Sequence, residues 1–257
     1  MRTTVVTGAA SGIGRATADL LRSRGERVVG VDRHEAEVLA DLSTTQGRAA
    51  MVAQVDELTG GHVDAVLAVA GTANKGTADV TVNVFGAVAT LEGLRPLLAG
   101  SPSPRAAVTS SMSSLLPHDA LLVELCLADD EPGAVARAEH LLATGQGRVI
   151  YGSTKRAIAR WVRRAAPTAE WAGAGIPLNA VAPGIVETPM TADWISTPEK
   201  REKLRGQVPM PLHGFATPEV PARLLAWITS EENTHLCGQV VFVDGGADVV
   251  LRGDSTW

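Results

Sequence analysis

Tyr151 and Lys155 are the two residues of this chain whose types and spacing most directly imply chemistry. They stand four positions apart in Tyr151-Gly152-Ser153-Thr154-Lys155, and Tyr151 is the single tyrosine among 257 residues. If the segment is helical, both side chains lie on one face. A free phenol, with a pKa of about 10, is a poor acid–base catalyst near neutrality. A nearby ammonium favours the phenolate and is expected to lower the Tyr151 pKa toward the working range. The same spacing also occurs on ordinary helix surfaces, so the rest of the chain has to decide.

A second concentration of chemistry opens the chain. Thr7-Gly8-Ala9-Ala10-Ser11-Gly12-Ile13-Gly14 joins an apolar run to a helical pattern. Gly8, Gly12 and Gly14 permit a tight turn and let backbone N–H groups approach a pyrophosphate, with the positive end of the following helix behind them. Asp32 follows 18 residues beyond Gly14. It closes a second apolar run, where a carboxylate can bind both ribose hydroxyls of an adenosine. That charge would repel a 2′-phosphate, so NAD is expected rather than NADP, although the adjacent Arg33 could partly accommodate such a phosphate. Asp41-Leu42 ends a third, short run, where Asp41 could reach an adenine amino group and a backbone group its ring. Asp-Leu-Ser also reads as an ordinary helix start.

The elements that must position these residues alternate along the chain. Thr3–Thr7, Arg27–Val31, Val38–Leu42, Val63–Ala70, Ala106–Ser110, Leu178–Ala182 and Val240–Val243 read as strands. Ile13–Arg24, Thr44–Leu58, Thr77–Leu98 and Tyr151–Ala166 read as helices. Strand–helix alternation implies parallel pairing through right-handed crossovers. The expected fold is α/β, a Rossmann-type doubly wound parallel sheet of about seven strands. No repeat or Pro/Gly-rich linker divides 1–257, so one domain is expected. Only Arg33–Glu37 separate the second and third strands, too few for a crossover helix. Conversely, Leu115–Gln146 is long for a connection, and its Leu121, Leu122, Leu125, Val135, Ala138, Leu141 and Leu142 have helical spacing. It reads as an inserted helical hairpin broken at Pro132-Gly133.

Taken together, these motifs resemble the short-chain dehydrogenase/reductase family over nearly the whole chain. Thr7-Gly8-x-x-x-Gly12-Ile13-Gly14 is similar to its cofactor signature. Ala70-Gly71 matches the end of its Asn-Ala-Gly motif, with Val69 in place of the asparagine, which removes a side-chain hydrogen bond from the fourth strand. Asn83, Ser111, Tyr151 and Lys155 match its catalytic tetrad. Asn179-Ala180-Val181-Ala182-Pro183-Gly184 and Asp244-Gly245-Gly246 match its C-terminal signatures. The resemblance implies that Tyr151 is the general acid in ketone reduction and the general base in alcohol oxidation. It further implies that Lys155 binds the nicotinamide ribose, Ser111 holds the substrate oxygen, and Asn83 keeps a water between Lys155 and solvent. Gly8, Ser11, Gly12, Ile13, Gly14, Asp32, Asp41, Leu42, Ala70, Gly71, Pro183, Gly184 and Val186 would line the cofactor. Thr188 would bind its carboxamide.

Ser111 and Tyr151 are 40 positions apart, more than the family usually places between them, and the stretch 115–146 explains the excess. This insertion, the shortened second crossover and Glu187-Thr188-Pro189 are similar to a bacterial subgroup, the 3α-hydroxysteroid dehydrogenase/carbonyl reductases. The resemblance implies NAD-dependent, reversible oxidation of a secondary alcohol such as a 3α-hydroxysteroid. Terpenoid, aliphatic or polyketide carbonyl compounds are the alternative substrates, and a non-catalytic NAD-binding sensor is the alternative class. Substrate choice is expected in 189–212, where Met190, Trp194, Ile195, Met210 and Leu212 offer apolar area to a flat hydrophobic ligand.

Composition narrows the partners. A net charge of −5 argues against nucleic acid and anionic membranes. No run reaches transmembrane length. The two cysteines and six histidines lack metal-ligand spacing, so no metal is expected, and a reducing, cytoplasmic setting is. A homo-oligomer, most simply a dimer, is expected on a surface other than the Tyr151 helix.

Overall fold

Strands built from valine and alanine, without polar alternation, suit a sheet covered on both faces. A computed structural model describes residues 1–73 and 76–254. The expected span of 1–257 thus includes 74–75 and 255–257, which lie outside the described residues. The first half runs β1 (Thr3–Thr7), α1 (Gly12–Ser23), β2 (Arg27–Asp32), β3 (Val38–Leu39), α2 (Thr45–Thr59) and β4 (Ala65–Ala68). Then α3 (Thr77–Val80) continues through a π-helical turn, Thr81–Gly86, into α4 (Ala87–Leu98), followed by β5 (Arg105–Thr109). The second half holds α5 (Ala120–Leu127), α6 (Glu131–Ala143), α7 (Ile150–Ala165), β6 (Leu178–Pro183) and α8 (Pro198–Gln207). It closes with α9 (Glu219–Ile228), β7 (Val240–Val243) and α10 (Ala247–Arg252).

The strands form one seven-stranded sheet in the order β3-β2-β1-β4-β5-β6-β7, and every neighbouring pair is parallel. The expected single-domain, doubly wound α/β fold is therefore the observed one. Successive strand residues face opposite layers. Val5 packs with Met51, Leu91, Leu94, Ile158 and Trp171 on one side. Its neighbour Val6 packs with Ala18, Leu21, Leu67 and Leu225 on the other. No described helix is long and apolar enough to cross a membrane.

Three local departures from the sequence reading have physical causes. β3 is only two residues long, because the short link from β2 lets Val38 and Leu39 pair with Val31 and Asp32 before the chain turns away. The expected helix 77–98 contains the π-turn around Asn83, a register that local propensity does not encode. The hairpin breaks at 128–130 rather than at Pro132-Gly133. Pro132 lies in the first turn of α6, where its missing N–H leaves nothing unpaired. Asp130 caps that helix by accepting from the Gly133 N–H at 2.9 Å, and Asp129 makes the reversal with φ 59°.

The hairpin has its own core. Leu122, Val123, Cys126, Ala134, Ala138 and Leu141 pack on Val80, Val84, Phe85, Ile150 and Ala157. Leu121 and Leu142, expected in the same stripe, are exposed.

Candidate active site

β1 is flanked by β2 on one side and β4 on the other, so the strand order reverses beside it and opens a crevice at the carboxyl ends. A cleft of about 210 Å³ lies there, lined by Gly8, Ser11, Gly12, Ile13, Gly14, Asp32, Arg33, Asp41, Leu42, Ala70, Gly71 and Thr188. The turn tolerates no added carbon. A Cβ on Gly14 would sit 2.1 Å from the Gly8 carbonyl oxygen, and one on Gly8, whose φ is +72°, 2.9 Å from the Ala70 Cα. Val69 leaves β4 supported by other means: the Thr7 hydroxyl accepts from the Val69 and Ala70 N–H groups, both at 3.0 Å, and Thr109 donates to the Val69 carbonyl at 3.3 Å.

The Asp32 carboxylate is anchored by backbone donors, accepting from Ala10 N–H at 3.1 Å and Arg33 N–H at 2.7 Å. Asp41 accepts from the Ser43 hydroxyl and N–H at 2.7 and 2.9 Å, which hold its carboxyl below the usual range. The helix cap itself falls on Thr44, which accepts from Gly47 N–H at 3.0 Å, and leaves Asp41 at the cleft. A bare glycine cradle at a helix start, with a fixed carboxylate at the far end, has the donor and acceptor set that a dinucleotide requires.

A second cavity, about 100 Å³, continues from the first through Ile13, Val69, Gly71, Thr188 and Met190. Ser111, Ser113, Tyr151, Lys155, Pro183, Gly184, Val186, Thr191 and Trp194 line it. Tyr151 and Lys155 share one face of α7, as their spacing requires. Ser111 caps the 3-10 turn after β5 by accepting from Ser113 N–H at 3.1 Å. Its neighbour Ser110 also lines the cavity, but its hydroxyl is committed to the backbone, donating to the Lys155 carbonyl at 2.8 Å. Lys155 Nζ donates to the Thr109 carbonyl at 3.2 Å and lies 5.8 Å from the Tyr151 ring centre.

Asn83 is locked by its amide. Its Oδ1 accepts from Thr72 N–H at 2.8 Å, and its Nδ2 donates to the Thr72 carbonyl and the Thr154 hydroxyl at 3.0 and 3.2 Å. A Cβ on Gly71 would lie 3.0 Å from Asn83 Oδ1 and 3.5 Å from Lys155 Nζ. A side chain at Gly71 would therefore crowd both groups. Residues 111, 151 and 155 meet at this cavity, while Asn83 is buried outside its lining and bonded to Thr154 of the same helix as Tyr151 and Lys155.

The electrostatics differ from the sequence expectation. The Tyr151 ring is not wholly enclosed, yet burial pushes its phenol up to about 12, opposed by a hydrogen bond with Ser111 and reinforced by Asp79. Burial pulls Lys155 down to about 8, with Asp79 acting the other way. An ammonium so weakened by burial does not overcome the desolvation of the phenol beside it. Sequence reasoning missed Asp79, Thr72 and Thr154. Asp79 is buried and accepts from the Thr72 hydroxyl at 2.7 Å. Its one signal was position, one helical turn before Asn83.

The segment after Thr188 arches over the second cavity. Of the five apolar residues expected to offer surface there, Met190 and Trp194 line the cavity, Met210 and Ile195 join a buried cluster, and Leu212 points outward, 64% exposed. α8 has no buried residue. Arg201 ties it down through two bonds to Glu187, at 2.8 and 2.7 Å. On the opposite side, α5 packs along α7, with Glu124 bonded to Arg160 at 2.6 Å and Asp119 N–H donating to Ser153 at 2.8 Å.

Comparison with known proteins agrees with this geometry. A family model described as Enoyl-(Acyl carrier protein) reductase matches residues 8–248. The chain is 36% identical to a 3-alpha-hydroxysteroid dehydrogenase/carbonyl reductase from Comamonas testosteroni, over 96% of this chain and 97% of the relative. It is 31% identical to a cis-4-hydroxycyclohexanecarboxylate dehydrogenase from Sinomonas cyclohexanicum, over 97% of each. A crystal structure of the 3-alpha-hydroxysteroid dehydrogenase from Pseudomonas sp. B-0831 complexed with NADH matches with a TM-score of 0.90 at 37% identity, over 98% of this chain and 99% of that one.

Proposed function

The chain belongs to the short-chain dehydrogenase/reductase family of oxidoreductases, and on that premise we propose that it is an NAD-dependent dehydrogenase/carbonyl reductase. Its proposed reaction is the reversible oxidation of a secondary alcohol to a ketone, with a 3α-hydroxysteroid or a similarly flat hydrophobic alcohol as substrate. One observation carries this reading: the glycine cradle with Asp32 and the cavity with Ser111, Tyr151 and Lys155 form one continuous cleft. The names of the Comamonas and Pseudomonas relatives support the steroid assignment.

When bound, the nicotinamide accepts or supplies the hydride. Gly8, Ser11, Gly12, Ile13 and Gly14 would hold the pyrophosphate, Asp32 the adenosine ribose, and Asp41 and Leu42 the adenine. Ala70, Gly71, Pro183, Gly184 and Val186 would line the nicotinamide half, with Thr188 on the carboxamide and Lys155 on the ribose. The Asp32 carboxylate disfavours a 2′-phosphate, which supports NAD over NADP. Ser111 would hydrogen-bond the substrate oxygen and stabilise charge developing there. Tyr151 would give that oxygen a proton in reduction and take it in oxidation. Burial favours the protonated phenol, so reduction starts from the form present at neutral pH. Lys155 loses its proton as pH rises through about 8, and its electrostatic support for reduction fades in that range. Asn83 would hold the water through which Lys155 exchanges protons with solvent.

A second reading has its own observation. The substrate cavity of about 100 Å³ is below the ~300 Å³ at which pockets for drug-sized ligands begin. That favours a single-ring alcohol of the kind named for the Sinomonas relative, or else a movable cover. We assign the cover to 189–212, as a lid, and 115–146 as the insertion. A homodimer would use a surface other than α7, whose outer face α5 occupies.

The test is a panel of hydroxysteroids, decalols, cyclohexanols and simple ketones, followed by NADH absorbance with NAD and NADP compared. Activity confined to non-steroids would sink the steroid assignment and leave the mechanism standing. Full turnover by Tyr151→Phe would overturn the mechanism.

A further inference from the structure

The adenine end of the cofactor cleft is poorly supported by the sheet. β3 supplies two residues of ladder, and the chain then leaves through Ala40–Thr44 with little strand pairing to hold it. A guanidinium does the holding instead. Arg48, buried in the first turn of α2, donates from Nε to the Leu42 carbonyl at 2.8 Å and from Nη2 to the Ser43 carbonyl at 3.3 Å. Nη2 also reaches the Thr81 carbonyl at 3.1 Å, where the π-turn begins. The remaining contacts go to Glu131 of the hairpin, which takes Nη1 at 2.7 Å and Nη2 at 2.6 Å in a two-pronged pair. The loop is pressed between these supports. A Cβ on Gly86 would meet the Leu42 carbonyl at 3.0 Å, and one on Gly47 the Asp41 carbonyl at 2.0 Å.

Stability alone does not explain such an arrangement, because desolvating two charges costs much of what their attraction returns. The planar fork of an arginine does something an apolar pair cannot, which is to hold several carbonyls and a carboxylate in one fixed geometry. Here two carbonyls belong to the loop at the adenine end of the cleft, the carboxylate to helix α6, and the third carbonyl to the π-turn that carries Asn83.

We propose that Arg48 and Glu131 are a positioning pair through which the α5–α6 hairpin shapes the adenine end of the cofactor cleft. The hairpin is then a working part of cofactor binding, more than 80 positions away in sequence from the loop it controls. This inference rests on the cofactor reading above. Neither Glu131 nor Arg48 lines the cleft or the cavity, and Arg48 reaches the adenine loop through the backbone carbonyls of residues 42 and 43.

The experiment is Glu131→Gln, with NADH binding followed by fluorescence and AMP binding by competition. The amide keeps the size and loses the charged, two-pronged acceptor, so NADH and AMP are both expected to bind about tenfold more weakly, the loss of one charge-assisted bond. kcat at saturating NADH and the KM for ketone should stay within about twofold, since neither depends on the adenine loop. Glu131→Asp, which restores the charge at shorter reach, should recover part of the affinity and serves as a second variant if the glutamine protein folds poorly. Unchanged NADH and AMP binding would overturn the inference. So would a fall in kcat and a rise in ketone KM as large as the change in NADH affinity, which would mark a general loosening. If the unaltered protein fails to bind NADH, the cofactor reading itself falls, which is a different result from an intact protein and a variant that bind alike.

Discussion

The α5–α6 hairpin and the α8 segment are both helical excursions from the sheet, and they are held in opposite ways. The hairpin buries an apolar face against α7 and the helix of Asn83 and adds two ion pairs, Arg48 with Glu131 and Arg137 with Asp119, in which every partner is at least partly buried. α8 has no fully buried residue: Leu204 packs partly buried against the cluster of Ile185 and Met210, the half-exposed Glu187–Arg201 pair ties it down, and Arg201 and Arg205 rest over Phe215. Burial makes the difference, so one element can serve as a wall and the other as a moving cover.

The contrast is broken most directly by cutting cores. Leu141→Ala removes a fully buried side chain from the hairpin and should cost about 2–5 kcal/mol of unfolding free energy in a denaturant titration. Leu204→Ala in half-buried α8 should cost less than about 1 kcal/mol. Equal losses would abolish the distinction. Limited trypsin digestion sharpens it next, because local opening precedes cleavage. Cuts at Lys200, Arg201, Lys203 or Arg205 should precede any cut at Arg137, and NAD with substrate should slow them. First cleavage in the hairpin would reverse the assignment of wall and lid.

Acid should loosen the wall by a smaller amount. Hydrogen bonds from Arg137 hold the Asp119 carboxyl below the usual range. Its contribution, at most about 1 kcal/mol, should be complete above the ordinary aspartate pKa and disappear as pH falls through the lowered one. In Arg137→Gln this acid-side loss of stability should shrink, as read by thermal melts against pH. The smallest effect is expected at the latch. Glu187→Gln should change stability by no more than about 0.5 kcal/mol, while substrate KM rises by about two- to fivefold with kcat nearly unchanged. A large stability loss without a KM effect would make α8 a structural element.

Much of this was legible in the residues. Apolar runs and glycine spacing located the strands and the glycine turn that lines the cleft, and Tyr151 with Lys155 located the cavity. What stayed hidden involves long-range geometry. No local pattern announced that Arg48 would meet Glu131 across the hairpin, or that the helix of Asn83 would pass through a π-turn. The break at Pro132-Gly133 was misplaced because proline both interrupts helices and starts them, and only the Asp130 cap distinguishes the two. The direction of the Tyr151 shift was also misread. Counting charges in sequence includes the ammonium of Lys155 and leaves out the desolvation that burial imposes on both partners.

The solitude of Tyr151 gives the molecule an internal reporter. The other aromatic side chains are tryptophan and phenylalanine, which do not ionise in water. An alkaline titration followed in the near ultraviolet therefore records one phenol, and that phenol is the one at the cavity. With burial holding it near 12, the absorbance step should lie to the alkaline side of free tyrosine. Any ligand that settles beside the ring writes its effect on the proton directly into the spectrum.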